Sequence, residues 1–150
     1  MILSGETIHA ERIITPHHPR TRRNGMSFGE SFAGYDVRAR GAVTIYPDGF
    51  ALNCTVERFV MPRDVLAVVH DKSTWARRGL SVFNTVIEPG WRGWLTLELV
   101  NHCPDPITIM EGDPIAQVVF HRIDRATAGY EGKYQDQDDR PVPAILEATL

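Results

Sequence analysis

Residues 88 to 101 read EPGWRGWLTLELVN, and within them LTLELV alternates as a half-buried strand does, with Leu95, Leu97 and Leu99 on one face. The other face carries Thr96, Glu98 and Val100. Glutamate is depleted in strands, and a carboxylate held away from water must be paired, hydrogen-bonded or driven toward neutrality. Glu98 therefore reads either as an acid–base group in a site or as a carboxylate on a solvated sheet face. A second stretch, HDKSTWARRG, gathers Lys72, Ser73, Thr74, Arg77 and Arg78 about an expected helix start. Cations, hydroxyls and backbone N–H groups there suit an anion such as phosphate, although the same residues also describe a capped turn with solvated arginines. A third, YEGKYQDQ at 130 to 137, offers Lys133, two tyrosines and two glutamines, which suit either closure over a nucleotide or a loose tail.

The elements that must position these residues read mainly as short strands. Apolar runs at 42–46, 50–56, 65–70, 80–87, 94–100, 106–110 and 115–121 are each bounded by Gly, Pro, Asp or Asn. Strands so closely spaced imply an all-β barrel or double sheet. Two short helices are expected: one in GETIHAERI behind Ser4 as N-cap, and a single turn at STWARRG with Ser73 at its head and Gly79 as its stop. Residues 15–31, rich in Pro, Gly and basic side chains, show neither period and read as an irregular excursion. The polar tail from 124 onward either frays or folds over something.

Composition narrows the class further. A chain of 150 residues, 43% hydrophobic and 23% charged, is expected to form one domain with its own core. Its formal net charge of −3 supplies no general basic field, so nucleic acid is not an expected partner and a polyanionic ligand needs a local basic pocket. Cys54 and Cys103 form neither a disulfide framework nor a multi-cysteine metal site. The amino terminus meets charge too early for a secretory signal and no run reaches membrane-spanning length, so a soluble cytoplasmic protein with no membrane partner is expected. His9-Ala10-Glu11 spells the H-x-E of zinc nucleobase deaminases but lacks its P-C-x-x-C partner, and the adjacent His17 and His18 make a poor metal pair. Trp75, Trp91 and Trp94 sit among apolar neighbours and read first as packing residues.

In order along the chain, five segments resemble the dCTP deaminase and dUTPase superfamily. FAGYDVRA at 32 to 39 is similar to the first dUTPase motif and to the deaminase S-Y-D-x-R, and KSTWARRGL at 72 to 80 to R-S-S-x-A-R-x-G-L. IEPGWRGWLTLEL at 87 to 99 resembles I-D-P-G-W-x-G-x-x-x-L-E-F, GDPIAQVVF at 112 to 120 resembles G-x-x-I-x-Q-x-x-F, and YEGKYQDQ resembles the deaminase K-Y-x-x-Q. The resemblance is nearer to the deaminases, because they carry the working glutamate at the position of Glu98 and the dUTPases do not. The glycine-rich aromatic tail of dUTPases is likewise replaced here by Lys133, Tyr134 and Gln137.

What the resemblance implies is a dUTPase-like distorted β-barrel, double-sheet and jelly-roll-like, with one or two short helices, acting as a homotrimer whose sites lie at subunit interfaces. The implied reaction is deamination of dCTP to dUTP and ammonia with no zinc and no metal bound directly by the protein. Glu98 is the implied base and proton shuttle, assisted by Ser73 and Arg77. Lys72, Thr74, Lys133 and Gln137 are the implied triphosphate holders, with magnesium carried on the phosphates. Asn84 and Thr85 face the pyrimidine, and Glu88, Trp91, Gln117, Tyr130 and Tyr134 complete the nucleotide-binding set. The chain also departs from the deaminase pattern. Lys72 replaces an arginine and so loses a planar fork for two phosphate oxygens. Glu88 replaces the aspartate that in dUTPases activates water for α-phosphate cleavage, and the VFNTVI hairpin is about two residues shorter than in ordinary deaminases. A dUTP pyrophosphatase, a bifunctional enzyme forming dUMP and pyrophosphate, and a non-catalytic nucleotide-sensing trimer are the rival readings.

Overall fold

The computed structural model describes residues 1–148. Its first element, α1 (Gly5–Ala10), starts where expected: Ser4 is extended at the N-cap and its hydroxyl accepts the Thr7 N–H at 3.3 Å. Ile8 is the residue of this helix driven fully into the core, and the chain turns out of the helix through Arg12 in the left-handed region.

The barrel is built from two antiparallel sheets and a small ribbon. One sheet has the order β1-β6-β10-β8, from Ile14–Thr15, Phe50–Val60, Arg92–Asn101 and Leu80–Val82. The other has the order β2-β3-β4-β12-β7-β9, from Thr21–Arg23, Met26–Ser31, Gly34–Arg38, Pro114–Arg122, Val65–Asp71 and Val86–Ile87. Strands β5 (Val43–Ile45) and β11 (Ile107–Ile109) pair separately. Leu95, Leu97 and Leu99 of β10 are buried as their alternation requires, and the Phe59 and Phe120 rings stack 6.3 Å apart, joining the two sheets through the core.

Two expectations are corrected, and one strand carries an irregularity. Residues 15–31 are not irregular throughout: Thr21–Arg23 and Met26–Ser31 form a hairpin, turned by Asn24 and Gly25 at φ 49° and 76°. This is the two-residue turn that an Asn-Gly pair specifies. The run 80–87 is two strands rather than one, separated at Phe83–Thr85, where the Thr85 N–H donates to the Phe83 carbonyl at 2.9 Å. Finally, β10 is not a regular ladder. A bulge between Trp94 and Thr96 leaves Leu95 out of the pairing, and the Thr55 hydroxyl accepts its N–H at 3.0 Å.

The second helix, α2 (Ser73–Ala76), is a single turn, stopped before Gly79 at φ 87°. Lys72 occupies its N-cap and no side chain caps it. Trp75 and Trp91 are buried, their indole N–H groups each donating to a backbone carbonyl, that of Pro114 and that of Tyr134 respectively, both at 2.6 Å. Trp94 is half-buried beneath the guanidinium groups of Arg40 and Arg58.

The tail folds over β10 instead of fraying. Gly90 and Gly93 make this possible: at positive φ, each lies so close to the tail that a side chain would collide, a Cβ on Gly90 falling 2.7 Å from Gly129 Cα and one on Gly93 2.7 Å from Gln137 N. Arg92 then grips Asp136 with two guanidinium nitrogens at 2.5 and 2.8 Å.

Candidate active site

Glu98 stands opposite Leu52 in the β10–β6 ladder, and its carbonyl accepts the Phe83 N–H at 3.0 Å. Strand geometry thereby puts the side chain on the face away from the three core leucines, but that face is not open solvent. It lines a cavity of about 540 Å³ walled by β6, by β10, by the 85–91 segment and by the tail. Leu52, Leu95, Ile87 and Trp91 supply apolar surface, while Thr85, Glu88, Thr96 and Gln137 supply polar groups. Tyr130, Tyr134 and Val142–Ala144 bring the tail into the same wall. A mostly apolar recess with a few converging polar groups is the usual form of a small-molecule site.

Within it Glu98 is half-buried and its Oε2 is buried without any hydrogen-bond partner. Loss of hydration pushes its carboxyl pKa above the ordinary carboxylate range, opposed by a hydrogen bond from its own backbone. A shift in this direction is the one that suits a carboxyl for general acid–base chemistry.

Seven of the residues singled out from sequence line this cavity: Thr85, Glu88, Trp91, Glu98, Tyr130, Tyr134 and Gln137. The others lie elsewhere on the chain. Ser73, Thr74 and Arg77 are exposed on or beside α2, and Lys72 is buried with its Nζ 2.8 Å from Asp36 Oδ2. Asn84 is exposed, and with its NH₂ turned inward it donates to the carbonyls of Val82 and Val69 at 3.2 and 3.3 Å. Lys133 is exposed with its ammonium 5.3 Å from the Tyr134 ring centroid, and Gln117 donates to the Ser31 hydroxyl at 3.3 Å. Among the described residues no Lys or Arg lines the cavity, so within one chain the cationic cluster and the acid face different places. Arg77, expected to assist Glu98, is not among the groups that shift its carboxyl pKa within the chain.

Sequence reasoning did not single out Phe50, Leu52, Thr96 or Val142–Ala144, which also line the cavity. Thr96 was findable, because it lies two residues from Glu98 on the same strand face. Leu52 becomes visible only through its pairing with Glu98, and the tail segment only through its docking.

Among the described residues, the one group of His, Cys, Asp and Glu side chains close enough to share an ion is His9, His17 and Glu30, none of which lines the cavity. The cavity itself presents two glutamates without a third carboxylate or histidine. Two carboxylates are fewer oxygen ligands than an all-protein magnesium or calcium site uses.

Residues 5–123 match the profile of the family described as dCTP deaminase-like. A dCTP deaminase of Campylobacter hominis is 45% identical over 169 positions, spanning 90% of this chain and 89% of the relative. That span exceeds the 150 residues of this chain, so the relative carries segments that this chain lacks. A dCTP deaminase of Campylobacter fetus is 46% identical over 105 positions, covering 67% of this chain and 56% of the relative, so for that relative the match spans little more than half its length. Among solved structures, the EIAV dUTPase aligns with a TM-score of 0.60 at 18% identity over 82% of this chain and 98% of its own. A mutant dUTPase from phage phi11 of S. aureus, described for its coordination of a structural Mg(II) ion, aligns with a TM-score of 0.58 at 18% identity over 77% and 93%. At these identities the structures share the fold.

Proposed function

The chain belongs to the dCTP deaminase-like family, and on that basis we propose that it hydrolyses dCTP to dUTP and ammonia with Glu98 as base and proton shuttle. The observation that carries the reading is the half-buried Glu98 carboxyl, its Oε2 without a partner, inside a cavity of about 540 Å³. Glu98 takes a proton from a water beside C4 of the cytosine as the oxygen attacks that carbon. It delivers the proton to N3, takes up the second proton of the attacking water, and hands it to the amino group, which leaves as ammonia when the C4–N bond breaks. Thr85 and Trp91 border the base, Gln137 closes from the tail, and Glu88 lies within reach of the nucleotide.

The cavity's acids need cations to receive a triphosphate, and among the described residues no Lys or Arg of the same chain lines it. We assign them to a neighbouring subunit: Arg77, with the Ser73 and Thr74 hydroxyls, of one chain completes the cavity of the next, in a homotrimer, while Lys72 stays buried against Asp36 in its own chain. The exposed Phe50 and Val86 at this cavity, with Phe83 stacked 6.2 Å from Phe50, form the apolar patch such an interface covers. Magnesium, carried by the phosphates, supplies charge neutralisation. Lys133 and Gln117 complete the nucleotide-binding set, and the cytoplasm, where free deoxynucleotides are available, is the assigned compartment.

Glu88 favours one further reading. A second carboxylate lining the same cavity is suited to activate water at the α-phosphate, which makes the enzyme bifunctional. One experiment tests both readings: the purified protein is given magnesium with dCTP, then with dUTP, and nucleotides, ammonia and pyrophosphate are measured. dUTP plus ammonia supports a monofunctional deaminase, and dUMP plus pyrophosphate from dCTP supports a bifunctional one. Cleavage of dUTP alone overturns the deaminase assignment, and tight binding without turnover points to a nucleotide sensor.

A further inference from the structure

We propose that His9 and the Nδ1 of His17, whose Nε2 is held by Glu30, form a binding site for a divalent transition metal of the zinc type, tying helix α1 to the segment that follows β1. The three side chains arrive from separate elements: His9 from the last turn of α1, His17 from the segment after β1, and Glu30 from β3. One ligand atom from each lies within 4.8 Å of the others. The helix and the strand are already in contact, since a Cβ on Gly5 would lie 3.0 Å from that of Glu30.

His17 provides the independent sign that something is to be bound. Its Nε2 lies 2.7 Å from Glu30 Oε1, and an ionised carboxylate requires that nitrogen to be the donor. The lone pair of a neutral imidazole is then left on Nδ1. That atom is buried without a partner, in a side chain that is only 10% exposed. Buried polar atoms are rarely left so. A carboxylate that holds one imidazole nitrogen and thereby frees the other for a metal is a recurring arrangement, and imidazole donors select zinc-like ions over magnesium or calcium.

The His9 ring completes the approach, its centroid 4.3 Å from that of His17, and it remains exposed. A cavity of about 420 Å³, lined by His9, Arg12, Ile14, Thr15 and His17, leads from the surface to both rings. Arg12 is the one cation in that lining. The neighbouring sequence candidates are engaged elsewhere: Glu11 pairs with Arg122, and His18 packs edge-on to Phe28 at 5.5 Å.

The test is calorimetric titration of the chelator-treated full-length protein with zinc chloride at neutral pH, alongside its thermal midpoint. One zinc per chain and a raised midpoint are expected, because an ion that binds only the folded state stabilises it. Glu30→Gln is expected to weaken binding by about 10- to 100-fold. His9→Ala, at an exposed position that folding tolerates, is expected to remove the thermal shift. No saturable binding by the wild-type protein overturns the site, as does unchanged affinity in His9→Ala, which would mean that zinc is held by other histidines.

Discussion

The Thr96 hydroxyl donates to Gln137 Oε1 at 3.1 Å and accepts the Val142 N–H at 3.0 Å, binding the tail to the strand face that carries Glu98. Thr96 is buried for that reason, two residues from the proposed base. The same few ångströms of strand therefore hold both the proposed base and the latch of the segment that covers it.

Truncation after Gly129 removes this latch together with the Trp91–Tyr134 bond, while both sheets remain. KM for dCTP is expected to rise by roughly tenfold, equivalent to about 1.4 kcal/mol of lost binding. The barrel's circular dichroism should not change. An unaltered KM would refute the role of the tail as a cover.

Glu98→Gln preserves shape but cannot shuttle protons. Ammonia release from dCTP is expected to fall by about a hundredfold to ten-thousandfold, with nucleotide affinity retained in equilibrium binding. A variant keeping most of its rate would remove Glu98 from the mechanism.

The same substitution has a pH signature in stability. Burial raises the folded-state pKa of Glu98 above its ordinary value of 4.5, so between those two values the folded state binds more proton than the unfolded state. Stability is therefore lost as pH rises through that window, and the penalty persists above it. Glu98→Gln should be the more stable protein at neutral pH by about 1 kcal/mol, the scale of an unmet buried polar group. The advantage should vanish as pH falls below the ordinary value, as read from urea midpoints across pH.

Lys72 and Asp36 form a buried pair, their side chains 8% and 10% exposed. Asp36→Asn leaves a buried ammonium without its counter-charge and is expected to cost about 3–5 kcal/mol in urea unfolding. Asp36→Leu combined with Lys72→Met should recover much of that loss, since it removes both charges.

The proposed division of the site between subunits makes a prediction about mixed assemblies. Glu98→Gln and Arg77→Ala proteins, each inactive alone, should regain measurable deamination after being unfolded and refolded together. In some mixed trimers one interface receives an intact Glu98 from one chain and an intact Arg77 from its neighbour. Light scattering should give the mass of a trimer, and absence of recovery in a mixed trimer would place all the groups of one site in a single chain.

Much of this protein was legible in its residues. The Leu95, Leu97 and Leu99 alternation specified which face of β10 enters the core, Ser4 specified the start of α1, and Glu98 stood out because ordinary strand chemistry does not call for it. The hairpin at Asn24-Gly25 was equally legible by its turn chemistry, but the surrounding basic and proline-rich composition concealed it. What sequence alone determined follows from local rules: periodicity, caps, turns and residue type. What only the tertiary structure decided depends on contacts between distant segments. The docking of residues 130–144 over Gly90 and Gly93 converts the Glu98 face from open surface into a cavity. The meeting of His9, His17 and Glu30 likewise needs a helix, a connecting segment and a strand to close on one another, a juxtaposition that spacing along the chain does not encode.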